Sequence, residues 1–328
     1  MSGATVSRVF NNSAFISPET REKVLKAADS LNYHPNLVAS NFVKGISGNI
    51  GVIIPYIPGV HIFSVYYFSE LLSGIGDAFR ERGYDLVLFF HKVEEGAEND
   101  YLSYFKGGKV DGCILLGTLG SDCGLLRLKD NSLKFCLINN YIKGSGISFA
   151  DVDNVNGSYE AVKHLIDLGH RKIAFLNGPV TYTNSLDRLT GYKRALEEAG
   201  IAENSSYFLE GNYGRKSGYI ASQRIADITD RPTAVFASND RMAAGLIKGL
   251  KEKGLNVPGD IAIVGYDDSD AAVLVEPQLT TVRVPFFELG RRCAGEFVRQ
   301  VRGEYGQGFE IIIMPELIVR ASSGNKIM

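Results

Sequence analysis

The chain has 328 residues, 45% of them hydrophobic, which is more than a single core usually absorbs, so two or more domains are expected. Its 35 basic residues nearly balance 37 acidic ones, for a formal charge of −2, so any contact with nucleic acid has to come from a local patch and not from a basic coat. No apolar run approaches the roughly 18 residues that span a bilayer, the start lacks the charged and apolar parts of a signal peptide, and Cys113, Cys123, Cys136 and Cys293 have neither CxxC spacing nor a neighbouring His, which reads as buried thiols in a reducing cytoplasm and argues against a metal site.

In chain order, residues 5–10 read as a helix with Val6, Val9 and Phe10 on one side and Thr5, Ser7 and Arg8 on others. Such a helix can offer hydroxyls and a guanidinium to base edges and phosphates. Spacing alone favours an ordinary polar helix face. Ser17-Pro18 is a strong helix start, a hydroxyl cap followed by a residue whose missing N–H costs nothing in the first turn. Val24, Leu25, Ala28 and Leu31 follow at helical spacing, which predicts one buried face to about Asn32. Gly45, Ser47 and Gly48 make a flexible joint.

From Asn49 short apolar runs alternate with helical patterns, as parallel βαβ units require. Strands are expected at 50–55, 86–90 and 113–116, with helices at 68–83 and 98–106. A second series has strands at 171–176, 234–237 and 261–264 and helices at 186–199 and 241–253, with Gly83 and Gly200 as helix stops. The expected class is α/β, with two doubly wound parallel-sheet lobes. In such sheets ligands lie beyond the carboxyl ends of the strands, and with two lobes the default site is the cleft between them. The strand ends carry Pro55-Tyr56, Gly178-Pro179, Ser238-Asn239-Asp240 and Gly265-Tyr266-Asp267-Asp268.

Enzyme signals are missing from this pattern. Gly74-Ile75-Gly76 lies inside a helix, with Phe79 where a dinucleotide fingerprint needs its third glycine. The five histidines form no base–nucleophile constellation, and His170 beside Arg171 reads as a helix-end feature. No enzyme, cofactor or metal is expected.

The stretch Ala4-Thr5-Val6-Ser7-Arg8-Val9-Phe10-Asn11 resembles the recognition helix of the lactose-repressor (LacI/GalR) family of bacterial regulators, and 35–42 resembles its hinge helix. Asp153-Asn154 with Gly157, Gly169-His170-Arg171, Arg188 with Gly191-Tyr192, Asn239-Asp240, Gly265-Tyr266-Asp267-Asp268 and Pro277-Gln278-Leu279-Thr280-Thr281-Val282 match the family's effector-binding core. The resemblance covers nearly the whole chain. It implies a periplasmic-binding-protein-like body behind an incomplete all-α helix-turn-helix head, whose first helix is missing before Met1. The implied division is head 1–34, hinge and linker 35–48, first lobe 49–152 with 284–308, and second lobe 153–283 with 309–328.

The implied DNA contacts are Ala4, Thr5, Ser7, Arg8 and Asn11 in the major groove and Ala39 and Phe42 at the hinge, Phe42 standing where a Leu is usual. The implied effector site has Tyr67 and Phe68 as walls from the first lobe and Asp153 and Arg188 as polar clamps. Tyr182 and Asn184 line a loop, Tyr213 is a second aromatic wall, and Asn239 and Asp267 bond the ligand from the second lobe. Rings beside Asp, Asn and Arg suit a sugar, whose hydroxyls donate and accept. Asp268 and Asp270 read as structural. The expected protein is a cytoplasmic, dimeric, effector-responsive repressor that binds operator DNA once its first helix is restored; the helix from Phe68 and the segment 241–253 are candidate contact faces, with patterns that fit core packing equally well. The rival is a periplasmic-type sugar-binding protein with no DNA role, disfavoured by the head sequence and the missing signal peptide.

Overall fold

The computed structural model describes residues 2–10, 15–31, 33, 46–92, 99–119, 122–304 and 308–325. The chain forms two compact units, residues 1–48 and 49–328. In the first, α1 (Gly3–Phe10) packs on α2 (Pro18–Ser30). Ser17 caps α2, its Oγ accepting from the Thr20 N–H at 3.3 Å, with Pro18 in the first turn. Val9 and Val24 are buried, and Arg21 donates to the Val9 carbonyl. The broad apolar face expected on α2 is not buried: Leu25 is 46% and Leu31 77% exposed. The partner helix α1 has eight residues and covers the Val24 side only. The hinge stretch 35–42 and Asn32 lie outside the described residues.

The second unit contains two six-stranded sheets. The first comprises β1 (Asn49–Pro55), β2 (Asp85–His91), β3 (Cys113–Leu116), β4 (Phe135–Ile138), β5 (Ser148–Val152) and β11 (Glu310–Ile313). Its order is β11-β5-β4-β3-β1-β2, and every pairing is parallel. The second comprises β6 (Ile173–Asn177), β7 (Phe208–Glu210), β8 (Ala234–Ala237), β9 (Ala262–Asp267), β10 (Thr280–Arg283) and β12 (Glu316–Ile318). Its order is β12-β10-β9-β8-β6-β7, parallel except for β12, which runs antiparallel to β10. The central strands are buried on both faces, which is why β1 reads as an unbroken apolar run.

Helices α3 (Tyr66–Arg82), α4 (Cys123–Asp130) and α10 (Phe286–Val301) cover the first sheet. Helices α5 (Asn154–Asp167), α6 (Thr183–Glu198), α7 (Arg215–Asp227), α8 (Asp240–Glu252) and α9 (Asp270–Leu274) belong to the second. Gly83 ends α3 in the left-handed conformation at φ +73°. Helices α3 and α10 meet at backbone distance: a Cβ on Gly74 would stand 2.0 Å from the Phe287 carbonyl oxygen. That packing explains the glycine that mimics a nucleotide fingerprint. Helix α8 is likewise covered by α7, where a Cβ on Gly245 would meet the Arg215 carbonyl oxygen at 2.0 Å. The apolar faces expected to pair subunits are thus largely spent inside the chain.

Two further expectations are corrected. The boundary placed at 308/309 is too early, because β11 pairs with β5 in the first sheet and the chain crosses to the second only after Ile313. The helix expected at 98–106 is instead a kinked 3-10 stretch, Leu102–Gly108, broken where Gly107 and Gly108 take positive φ. The lobes are therefore joined by three crossings, after β5, after β10 and after β11. Of the four thiols, Cys113, Cys136 and Cys293 are buried, whereas Cys123 is exposed at the start of α4.

Candidate functional site

The carboxyl ends of β4 and β5 from the first sheet and of β6, β8 and β9 from the second converge on one polar network. Asp151, on β5, is 1% exposed. Its Oδ1 accepts from the Val152 N–H at 2.7 Å and from Asn154 Nδ2 at 3.1 Å, while Oδ2 has no partner among the described residues. Burial pushes its carboxyl up to about 7; the Val152 N–H pulls it down, Asp187 pushes it up and Arg188 pulls it down. Asn154 Oδ1 accepts from Arg188 Nε at 2.9 Å, and Arg188 Nη1 donates to the Ser238 carbonyl at 2.5 Å. The Arg188 guanidinium carbon sits 3.9 Å from the centre of the Tyr266 ring, a cation–π contact. Arg188 is 3% exposed. A chain of contacts thus runs from the first sheet through Asp151, Asn154 and Arg188 to the end of β8.

Tyrosines stand around this network. Tyr213, at φ +62°, donates to Asn184 Oδ1 at 3.1 Å and bonds the Ser185 hydroxyl at 2.5 Å. Gly178 makes room for it, since a Cβ there would lie 2.1 Å from the Tyr213 ring. The Tyr182 ring is 6.4 Å from that of Tyr213. Tyr67 leans edge-on against Phe68 and Phe286 at 4.7 and 5.2 Å. Burial raises its phenol, Asp151 and Tyr213 raise it further, Arg188 lowers it, and the Asn139 side chain bonds it, which places its hydroxyl among these groups. Asp267 has φ +112°, a strained position for a non-glycine residue at the strand end. Its neighbours fix that geometry. Asp268 pairs with Arg283 and Arg320 at 2.8 and 2.6 Å, and Ser269 donates twice to the buried Asp240. Burial holds the Asp267 carboxyl well above its usual range; Arg188 opposes the shift and Asp240 adds to it.

Tyr67, Tyr182, Asn184, Arg188, Tyr213 and Asp267 are thus brought together. Three expected residues are not free to act as ligands' partners in the same way. Phe68 is a core side chain, 7% exposed, behind Tyr67. Asp153 caps α5, engaging both the backbone and side-chain nitrogens of Asn156. Asn239 caps α8 through the Met242 N–H at 2.9 Å and donates to the Tyr213 carbonyl at 3.1 Å, so it positions that ring. In each case the backbone's need for a cap or a packed core uses the same residue type that a ligand would. Asp151 escaped the sequence reading, and Asn154, Ser238 and Tyr266, named there within motifs, were given no role of their own. For Asp151 the available signal was a carboxylate between Ala150 and Val152 in β5. Two direct bonds tie the lobes at the rim: Thr183 Oγ1 donates to Asn140 Oδ1, and the Tyr141 hydroxyl donates to both Asp187 oxygens at 3.0 and 3.2 Å.

In the first unit, Thr5 bonds the Ser2 hydroxyl at 3.0 Å and Arg8 is exposed on α1. Ala4 and Ser7 lie within α1, their side chains outside the described set, and Asn11, Ala39 and Phe42 lie outside the described residues altogether.

A small helical unit ahead of two hinged α/β lobes, with polar groups at their facing strand ends, defines a DNA-binding regulator that responds to a ligand. A family model for bacterial regulatory proteins of the lacI family matches residues 1–36, and one for a periplasmic binding protein-like domain matches 162–323. Catabolite control protein A of Priestia megaterium is 34% identical over 291 residues, 88% of this chain and 86% of that protein. The structure of the regulator CelR in complex with cellobiose superposes with TM-score 0.78 at 30% identity, covering 99% of this chain and 96% of that one. The lac repressor dimer bound to operator and the anti-inducer ONPF gives TM-score 0.85 at 26% identity, with the same coverage of 99% and 96%. The chain belongs to the lacI family of bacterial regulatory proteins.

Proposed function

We propose that this regulator is a cytoplasmic, homodimeric repressor whose effector, a sugar, is gripped between the lobes by Tyr67, Tyr182, Asn184, Arg188, Tyr213 and Asp267. Phe68, Asp153 and Asn239 support these residues from behind. Ala4, Thr5, Ser7, Arg8 and Asn11 read operator bases, and Ala39 and Phe42 act at the hinge. The observation that carries the reading is the Arg188 bridge, which ties Asn154, itself bonded to Asp151 on the first sheet, to the Ser238 carbonyl at the end of β8 in the second. A ligand there changes the balance of lobe orientations only by its differential affinity for them, typically about 1–3 kcal/mol of coupling. Cellobiose and the lac effector in the related complexes support a carbohydrate.

The test begins with a thermal-shift screen of sugars, since a bound ligand raises apparent stability by mass action. For the sugar that binds, Arg188→Ala and Asp267→Ala are each expected to weaken affinity by about tenfold or more in titration calorimetry, as loss of a buried charged partner does. Operator affinity without ligand should stay unchanged. Unaltered sugar affinity in both variants would refute the site.

A further inference from the structure

Asp151, Asp187 and Asp267 all act electrostatically on the region of Arg188, and the first and last also act on the buried phenol of Tyr266. Arg188 acts on Asp151, and its guanidinium is already engaged by Asn154, the Ser238 carbonyl and the Tyr266 ring. Lys143 and Arg241 act on Asp187 and Asp267 from the flanks.

Two acceptors are left over at the heart of this arrangement. Asp151 Oδ2 is buried with no hydrogen-bond partner among the described residues, and so is Asn139 Oδ1. They are neighbours across the sheet, because the Asn139 N–H bonds the carbonyl of Ala150, next to Asp151. Both residues also act on the Tyr67 phenol. A buried carboxylate oxygen and a buried amide oxygen on neighbouring strands, both lacking donors among the described residues, call for a group that brings several N–H bonds and a positive charge. A hydroxyl supplies one donor and no charge. A phosphate or carboxylate would add like charge beside three acids.

We propose that the effector is a sugar bearing a protonated amine, with the ammonium seated between Asp151 Oδ2 and Asn139 Oδ1. The proposal rests on the cleft being the effector site. Asp151 and Asn139 set the specificity for charge, while the rest of the cleft reads hydroxyls.

The experiment uses the full chain and a set of aminodeoxyglucoses that places the amine at each carbon in turn, alongside glucose, the N-acetylated forms and glucose 6-phosphate. At least one amino sugar should bind about tenfold or more tightly than both glucose and its own N-acetyl form. Asp151→Asn, which keeps the shape and the Val152 bond, should bring that amino sugar down to the affinity of glucose. Asn139→Gly, which tolerates the φ of +56° at that position, removes the second acceptor and should lower the preference independently. Binding of the amine near neutral pH should release a proton from Asp151, read as a difference in heat between phosphate and Tris buffers and lost in Asp151→Asn. The ionisable groups facing that carboxyl are Asp187, Arg188, Tyr67, Tyr141 and Tyr266. No binding by any amino sugar, equal binding of glucose, or an amine preference that survives both substitutions overturns the proposal. If sugars bind but Arg188→Ala and Asp267→Ala leave every affinity intact, the cleft itself is the wrong site.

Discussion

Asp151 couples the site to pH. Burial raises its carboxyl to about 7, against an ordinary value of about 3.9 in an unfolded chain. Between those values the folded chain binds the extra proton. The stability this contributes is present in full below about pH 4 and is lost as pH rises through about 7. Asp151→Asn removes the dependence, so scanning calorimetry across this window should show the wild-type Tm falling relative to that of the variant as pH rises. Parallel Tm profiles would count against the burial of a titrating acid. Asn239→Ala should cost about 1 kcal/mol in urea unfolding, the typical loss of an N-cap, and should also loosen Tyr213. As a candidate, Asp267 is legible because it ends β9, where α/β sheets gather ligands, whereas Arg188, inside α6, is reached only through the family resemblance. Asp153 and Asn239 also serve as helix caps. Asp and Asn satisfy helix N-termini as readily as they satisfy sugars, and sequence does not say which need comes first. Asp151 was hidden because its side-chain direction depends on the register of a five-residue strand.

Among the elements, the glycines separate packing from permissiveness. On α3 Gly74 touches the backbone of α10, whereas a Cβ on Gly76 would meet nothing within 4 Å. Gly74→Ala should therefore destabilise by about 1–3 kcal/mol through overpacking. Gly76→Ala should stabilise by about 0.5–1 kcal/mol by restraining the unfolded chain. Denaturant midpoints of the two variants, moving in opposite directions, would check the crossing. The long strands and helices were legible: β1, β3 and β8 because buried parallel strands are continuous apolar runs, α3 and α6 because Gly83 and Gly200 stop them. The stretch at 98–106 failed because local periodicity ignored Gly107 and Gly108 at its end. Strands β11 and β12 are four and three residues long, too short to carry a pattern, and their placement depends on partners far away in sequence.

At the scale of the molecule, the rim bonds Thr183–Asn140 and Tyr141–Asp187 tie the lobes to one another. Tyr141→Phe keeps the ring and removes the hydroxyl. It should shift the ligand-free protein by about 1 kcal/mol toward open lobes, seen as a larger radius of gyration in small-angle scattering that saturating ligand reverses. The two-lobed plan was legible as a duplicated series of strands. The swap at the end was not, because nothing local distinguishes a strand that stays from one that changes sheets. That swap bears on how the protein is made. A ribosome must deliver five of the six strands of the second lobe, β6 to β10, before α10 and β11 emerge to finish the first, so Leu71, Ile75 and Ala78 on α3 stay uncovered throughout that interval. Stalled nascent chains that end before Phe286 should then be held by chaperones and degraded, and the two lobes should mature almost together, within the last stretch of synthesis.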